Sequence, residues 1–327
     1  MHKKNIIPSQ QKIQYLRIIL TNECNLACHY CHREGMNYEK KELTTDKIVQ
    51  YTKLFYDIGI KKFKLMGGEP TLRNDLTDII KGMRKNAPQA DISMITNGHL
   101  IMDKASGYAN AGLDRINISV HTWQPITQDL TLPDTYKSQP ELKTAILWLK
   151  EQGMLTKINF VILKGTNEKE AVDLIAWCNK NNIVLDILNV IYSSEDKNKL
   201  QDLHYSFAEI ENFIDKNFKI DAIKIQQNNY SLPSTRIFIK NGTQINLKTS
   251  RLNTEMVFNH CRECNELDFC VEGIKAIRLT NKGLIQPCLF HKNKTYDIKA
   301  LDIKALYDAK YPYHEIAEKT VDYINKL

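Results

Sequence analysis

Between residues 15 and 191, short apolar runs alternate with stretches whose apolar residues recur at helical spacing. The runs are YLRIILT (15–21), KFKLM (62–66), DISMIT (91–96), RINISV (115–120), TKINFVIL (156–163) and VLDILNVI (184–191). In the intervening TDKIVQYTKLFYDIG, Ile48, Tyr51, Leu54, Phe55 and Ile58 share one helical face. Apolar strands separated by helices predict right-handed βαβ crossovers and a parallel sheet, either open and doubly wound or closed into a partial barrel. Both architectures gather ligands at the carboxyl ends of the strands. The unusual loops fall there: a cysteine loop after the first strand, GGEP after the second and Asn-Gly after the third.

The rhythm changes after Ile191. A polar stretch, YSSEDKNKLQD, precedes a helix expected around His204–Asn217. A hairpin, TRIFIKNGTQINL, follows with Asn-Gly at its turn. Then comes a cysteine-rich segment, HCRECNELDFCVEGIKAIRLTNKGLIQPCLF. The pattern therefore predicts an α/β core over residues 1–195 and a smaller α+β extension over 196–327, with no internal repeat.

Composition narrows the class. The 327 residues, 43% hydrophobic and 25% charged, are those of an ordinary globular protein. No apolar run approaches the roughly 20 residues of a membrane span, and the polar start MHKKNIIPSQQKIQ lacks the apolar stretch of a secretion signal. The expectation is a cytoplasmic protein without a membrane partner. The net charge of +7 comes from lysines scattered along the chain, which reads as a solvated basic surface and not as a nucleic-acid tract.

In a reducing compartment, clustered cysteines hold metal or do chemistry more often than they form disulfides. Cys24, Cys28 and Cys31 stand as C-x3-C-x2-C. Structural zinc wants four closed ligands. A four-iron cubane held by three thiolates keeps one iron open to a small molecule. His29 and His32 break the spacing of the thiols and read as exposed loop residues, and Cys178, in LIAWCNKNN, reads as a small buried apolar residue.

C-x3-C-x2-C after the first strand, Tyr30 before the last of these cysteines and GGEP (Gly67 to Pro70) after the second strand together resemble the radical S-adenosylmethionine (SAM) enzymes. The resemblance implies a partial (βα)6 TIM-like barrel and a 4Fe-4S cluster on Cys24, Cys28 and Cys31. It implies SAM on the open iron, split after one electron from a donor such as flavodoxin or ferredoxin to give a 5'-deoxyadenosyl radical. By position, Gly67, Gly68 and Glu69 would receive the methionine amino group. Tyr30, Thr96, Asn97, Ser119 and Ile191 would line the ribose and adenine.

Cys261, Cys264, Cys270 and Cys288 form a second group, C-x2-C-x5-C-x17-C, whose four thiolates suffice for zinc or for a 4Fe-4S cluster. Spacing alone leaves both open. The resemblance favours a second, auxiliary iron–sulfur cluster of the SPASM or twitch type.

IKKFKLMGGEPTLRNDL, ITNGHLI, AGLDRINISVH, KINFVILKGTNEKE and IRLTNKGLIQPCLF are similar to the GTP 3',8-cyclases of molybdenum-cofactor biosynthesis. That likeness makes Arg17, Lys64, Lys157 and Arg278 candidate substrate contacts. The departures are Ile95 in place of a threonine, Ala276 and Asp186 in place of arginines, Cys270 as an extra candidate ligand, and an ending, DYINKL, without a Gly-Gly tail. The expectation is hydrogen abstraction from a small polar, anionic substrate that differs from GTP. Authentic GTP cyclisation, a peptide-modifying maturase and a non-catalytic iron–sulfur or zinc module are the alternatives. About fourteen residues precede the first strand; maturases often carry an N-terminal peptide-recognition domain, so this weakens the maturase reading without removing it.

Overall fold

A computed structural model describes residues 15–35, 42–57, 59–102, 104–120, 122, 139–193, 197–226, 234–239, 242, 244–248, 276–286, 288–290 and 296–297. Six parallel strands alternate with helices: β1 (Tyr15–Ile19), α1 (Thr45–Asp57), β2 (Lys62–Met66), α2 (Leu76–Asn86), β3 (Asp91–Thr96), α3 (Ala105–Asn110), β4 (Arg115–Ser119), α4 (Gln139–Glu151), β5 (Leu155–Ile162), α5 (Glu168–Lys180) and β6 (Leu185–Asn189). After these come α6 (Lys197–Leu200), α7 (Phe207–Asn217), β7 (Ile220–Gln226), β8 (Ser234–Ile239), β9 (Gln244–Lys248), β10 (Ala276–Leu279), β11 (Leu284–Gln286) and β12 (Tyr296–Asp297).

The described strands form one sheet in the order β12-β11-β10-β1-β2-β3-β4-β5-β6-β9-β8-β7. The expected hairpin exists: β8 and β9 pair antiparallel, with Ile237 opposite Ile245. It does not stand apart, because β9 pairs parallel with β6 and β10 pairs parallel with β1. Strands of the residues expected to form the C-terminal extension thus continue the core sheet at both of its edges.

One observation separates a barrel from a doubly wound sheet. Alternate strand residues such as Leu16, Ile18, Phe63, Leu65, Ile116, Ile118, Ile158 and Phe160 join a single core with Ile48, Phe55, Ile79, Ile80, Ile146, Ile175 and Ile214 of the helices. The helices therefore cover one face of the sheet, as in a partial barrel. The alternating positions, on the opposite face, include Arg17, Lys64, Ser93, Asn117, Asn159, Asp186, Arg278 and Gln286. A doubly wound sheet would bury apolar side chains on both faces. Cys178 is fully buried on the core side of α5. Among the described residues no helix is long and apolar enough to cross a membrane.

Candidate active site

The cysteine loop leaves the carboxyl end of β1 and is pinned to the loop after β2 by backbone hydrogen bonds. Gly68 N–H donates to the Thr21 carbonyl at 2.8 Å and Glu69 N–H to the Glu23 carbonyl at 2.7 Å. This approach requires glycine: a Cβ on Gly67 would lie 2.4 Å from the Thr21 carbonyl oxygen, and one on Gly68 2.0 Å from that of Glu23. GGEP therefore seats the first turn of the cysteine loop.

Glu69 is buried at 1% exposure, and its carboxylate faces inwards. Oε1 accepts from Thr71 N–H (3.0 Å), Thr71 Oγ1 (2.5 Å) and Thr96 Oγ1 (2.6 Å), while Oε2 accepts from Asn97 N–H at 2.8 Å. It joins the loop after β2 to the loop after β3. Asn97 Nδ2 donates to Asn25 Oδ1 at 2.7 Å, so the strand-three loop reaches the cysteine loop as well. Arg73 completes the brace, donating to the Leu20 carbonyl at 2.9 Å and pairing with Asp75.

Cys24 and Cys31 are exposed and Cys28 is half-buried. Desolvation raises all three thiols above their ordinary range. Cys28 is pushed up to about 11, first by that desolvation and then by the charges of Cys31 and Cys24. The thiols are thus close enough to disfavour each other's ionisation, which bound iron would reverse. Three thiolates on one loop suit a cluster, in which each thiolate has its own iron. His29 and His32 are exposed, as their spacing suggests, and His32 Nδ1 accepts the Glu34 N–H at 3.0 Å.

The other residues expected to line SAM collect at the same edge. Tyr30 is buried against Leu163 and Val190 beyond β5 and β6, with Cys28 packed beside them. Ile191 follows Val190, Thr96 and Asn97 end β3, and Ser119 ends β4, half-buried.

Below this edge the concave face is polar and ordered in rows. Arg278, Arg17, Lys64 and Ser93 are successive register partners across β10, β1, β2 and β3. Arg278 has no exposed surface, and its Nε donates to Glu34 Oε2 at 2.8 Å. Arg17 reaches the same oxygen at 3.4 Å. Burial works to raise the Glu34 pKa, but the charges of Arg278, Arg17 and His32 overcome it and lower the carboxyl to about 2. Lys64 is half-buried, its ammonium 6.0 Å from the Tyr15 ring centre. Lys157 forms a close ion pair with Asp186, whose other oxygen accepts from Asn246 Nδ2 at 2.7 Å. Arg115 pairs with Asp91 through Nε at 2.9 Å.

The structure thus brings the four candidate cations to one face, three of them already in contact with carboxylates. Glu34, Asn25 and Asn246 were not singled out in the sequence. Glu34 stands beside the cysteines, but its main partner is 244 residues away. Of the second cysteine group, Cys261, Cys264 and Cys270 lie outside the described residues. Cys288 is half-buried just beyond β11, where its carbonyl accepts from Gln286 Nε2 at 3.0 Å.

Comparison with known proteins agrees with this geometry. A model of the radical SAM superfamily matches residues 18–178. A probable GTP 3',8-cyclase of Methanococcus aeolicus is 34% identical over 88% of this chain and 89% of its own length. The chain belongs to the radical SAM superfamily, in the branch of the GTP 3',8-cyclases. The GTP 3',8-cyclase of Aquifex aeolicus is 30% identical, covering 93% of this chain and 92% of that protein. The crystal structure of Streptococcus suis SuiB bound to S-adenosylmethionine shares the fold, with a TM-score of 0.62 at 16% identity over 94% of this chain and 68% of that one. This radical SAM chain is an enzyme whose cofactors are a 4Fe-4S cluster and SAM. The Cys24, Cys28 and Cys31 loop fits the cluster by donor type and number.

Proposed function

We propose that this radical SAM enzyme removes a hydrogen atom from a small polar, anionic metabolite other than GTP and directs its rearrangement, cyclisation or oxidation. The observation that carries the reading is the polar row of Arg278, Arg17 and Lys64 on the concave face, beneath the strand-end loops. When bound, the cluster and SAM supply a 5'-deoxyadenosyl radical to a substrate on that face.

The chain's own residues bind, orient and shield. Cys24, Cys28 and Cys31 hold the cluster, and the backbone at Gly67 and Gly68 gives the methionine end a side-chain-free edge. The Glu69 carboxylate, already holding four donors, keeps that edge aligned with Thr96 and Asn97. Tyr30 with Leu163 and Val190 makes an apolar wall that excludes water from the adenine side. Arg17 and Lys64 orient the substrate. Flavodoxin or ferredoxin is the expected class of electron donor.

For the second cysteine group we favour an auxiliary 4Fe-4S cluster on Cys261, Cys264, Cys270 and Cys288. Anaerobic reconstitution would then load about eight iron per chain. Zinc with about half that iron would assign the site to zinc.

A second reading, authentic GTP cyclisation, is favoured by the names of the similar proteins. Against it stands Asp186, a buried carboxylate pairing with one of the cations a triphosphate would need. Incubation with GTP, SAM and a reductant decides between them. Formation of 5'-deoxyadenosine without a 3',8-cyclised nucleotide is the expected result; appearance of that nucleotide would establish the cyclase.

A further inference from the structure

Three of the four cations expected to meet the substrate are answered by carboxylates that the chain itself supplies. Arg278 and Arg17 converge on one oxygen of Glu34, and Lys157 is paired with Asp186. Both acids are buried, at 7% and 1% exposure. A buried carboxylate is tolerated only where cations and donors answer it, and each of these has its own set. Asn246 holds Asp186 from the neighbouring strand, and His32 holds the backbone of Glu34.

The backbone gives independent support at Glu34. Arg33 and Glu34 stand in succession at φ 47° and 52°, a left-handed conformation that is strained for a non-glycine residue. Such strain persists where the surroundings over-determine it. Here it directs the Glu34 carboxylate back under β1 and β10, onto the guanidinium pair.

The electrostatic consequence is specific. An anion arriving at Arg17 meets a cation whose charge is already shared with Glu34, and behind it the fully buried Arg278 is committed to the same carboxylate. A longer polyanion extending across the sheet would also meet Asp186 in place of a bare Lys157. Like charges brought together in a partly desolvated site repel and weaken binding. One compact anionic group can share the Arg17 guanidinium with Glu34, whereas a chain of phosphates must lie against both carboxylates.

We propose that Glu34 and Asp186 are specificity-determining residues that confine the substrate to a single compact anionic group and reject a polyphosphate chain. The proposal rests on the reading above for the concave face being the substrate surface, and goes beyond it in naming the charge class.

The test is anaerobic titration calorimetry of the cluster-loaded enzyme with SAM present, using inorganic phosphate and tripolyphosphate as probes. Wild-type protein is expected to bind tripolyphosphate within about threefold of phosphate. Glu34→Gln and Asp186→Asn, which keep shape and hydrogen-bonding capacity, should each tighten tripolyphosphate about tenfold, and the double variant further. Tripolyphosphate binding to wild type about a hundredfold tighter than phosphate would overturn the proposal. So would variants whose tripolyphosphate affinity stays level or falls, or a wild type that binds neither probe. Should Glu34→Gln fail to fold, Asp186→Asn carries the same test by itself. The titrations need no turnover, so a wild type that forms no 5'-deoxyadenosine would sink the radical reading and leave the charge result to be judged separately.

Discussion

Single side chains divide the site between cofactor chemistry and support. Cys24→Ala removes one of the three thiolates proposed to hold the cluster, so formation of 5'-deoxyadenosine should be lost, measured by chromatography after reduction with SAM. Glu34 gives a different signature. Its carboxyl is held at about 2 in the folded chain, against about 4.3 when unfolded. A depressed acid contributes stability that is fully present above the unfolded value and is lost as pH falls towards 2. The contribution is about 3 kcal/mol at neutral pH. Denaturation midpoints between pH 5 and 2.5 should fall less steeply for Glu34→Gln than for wild type; parallel slopes would show that the Arg278 and Arg17 contacts do not hold the charged form. The cysteine triplet and GGEP were legible in the sequence because their chemistry is local, set by spacing within one loop. Glu34 was not, because its meaning lies in a contact with Arg278, and no local pattern records a partner that distant in the chain.

Among elements, the loops at the strand ends are tied to one another by backbone and side-chain hydrogen bonds. The loop after β2 touches the cysteine loop backbone to backbone, and Gly68→Ala would place a methyl 2.0 Å from the Glu23 carbonyl oxygen. The backbone must move, at a cost of about 3 kcal/mol, and the cysteine loop moves with it. The variant should show a lower urea midpoint together with reduced iron uptake. A midpoint loss without loss of iron would show that GGEP supports the fold and not the cluster. Strand positions were readable because buried strands combine apolar runs with turn residues at their ends. β2 and β3 coincide with the sequence expectation, and the other strands differ by no more than about two residues at either end, as fraying termini do. The facing of each strand was less legible. Arg17, Lys64, Asn117 and Asp186 interrupt apolar runs in the sequence, and they make a continuous polar surface only because the crossover helices share the other face of the sheet.

At the scale of the whole molecule, the expected boundary near residue 195 marks a change of rhythm and not a break in the sheet. β9 continues it beyond β6, and β10 continues it beyond β1. The sequence showed the hairpin of the later segment but not its destination, since joining an edge leaves no periodic trace. Cutting the chain after residue 195 should therefore give an insoluble or aggregating fragment with two bare strand edges; a monomeric, folded fragment by light scattering and circular dichroism would contradict this.

The pairing of β10 with β1 also dictates an order of events on the ribosome. Tyr15 finds Ala276 as its partner, so the first strand must wait for a neighbour made much later in the chain to complete its ladder. During that interval its amide edge is open to other nascent chains. The arginine row spanning that seam is assembled only after β10 has been made, so a chain cut short before β10 would lack the proposed anion-recognition surface even if its cysteine loop had formed.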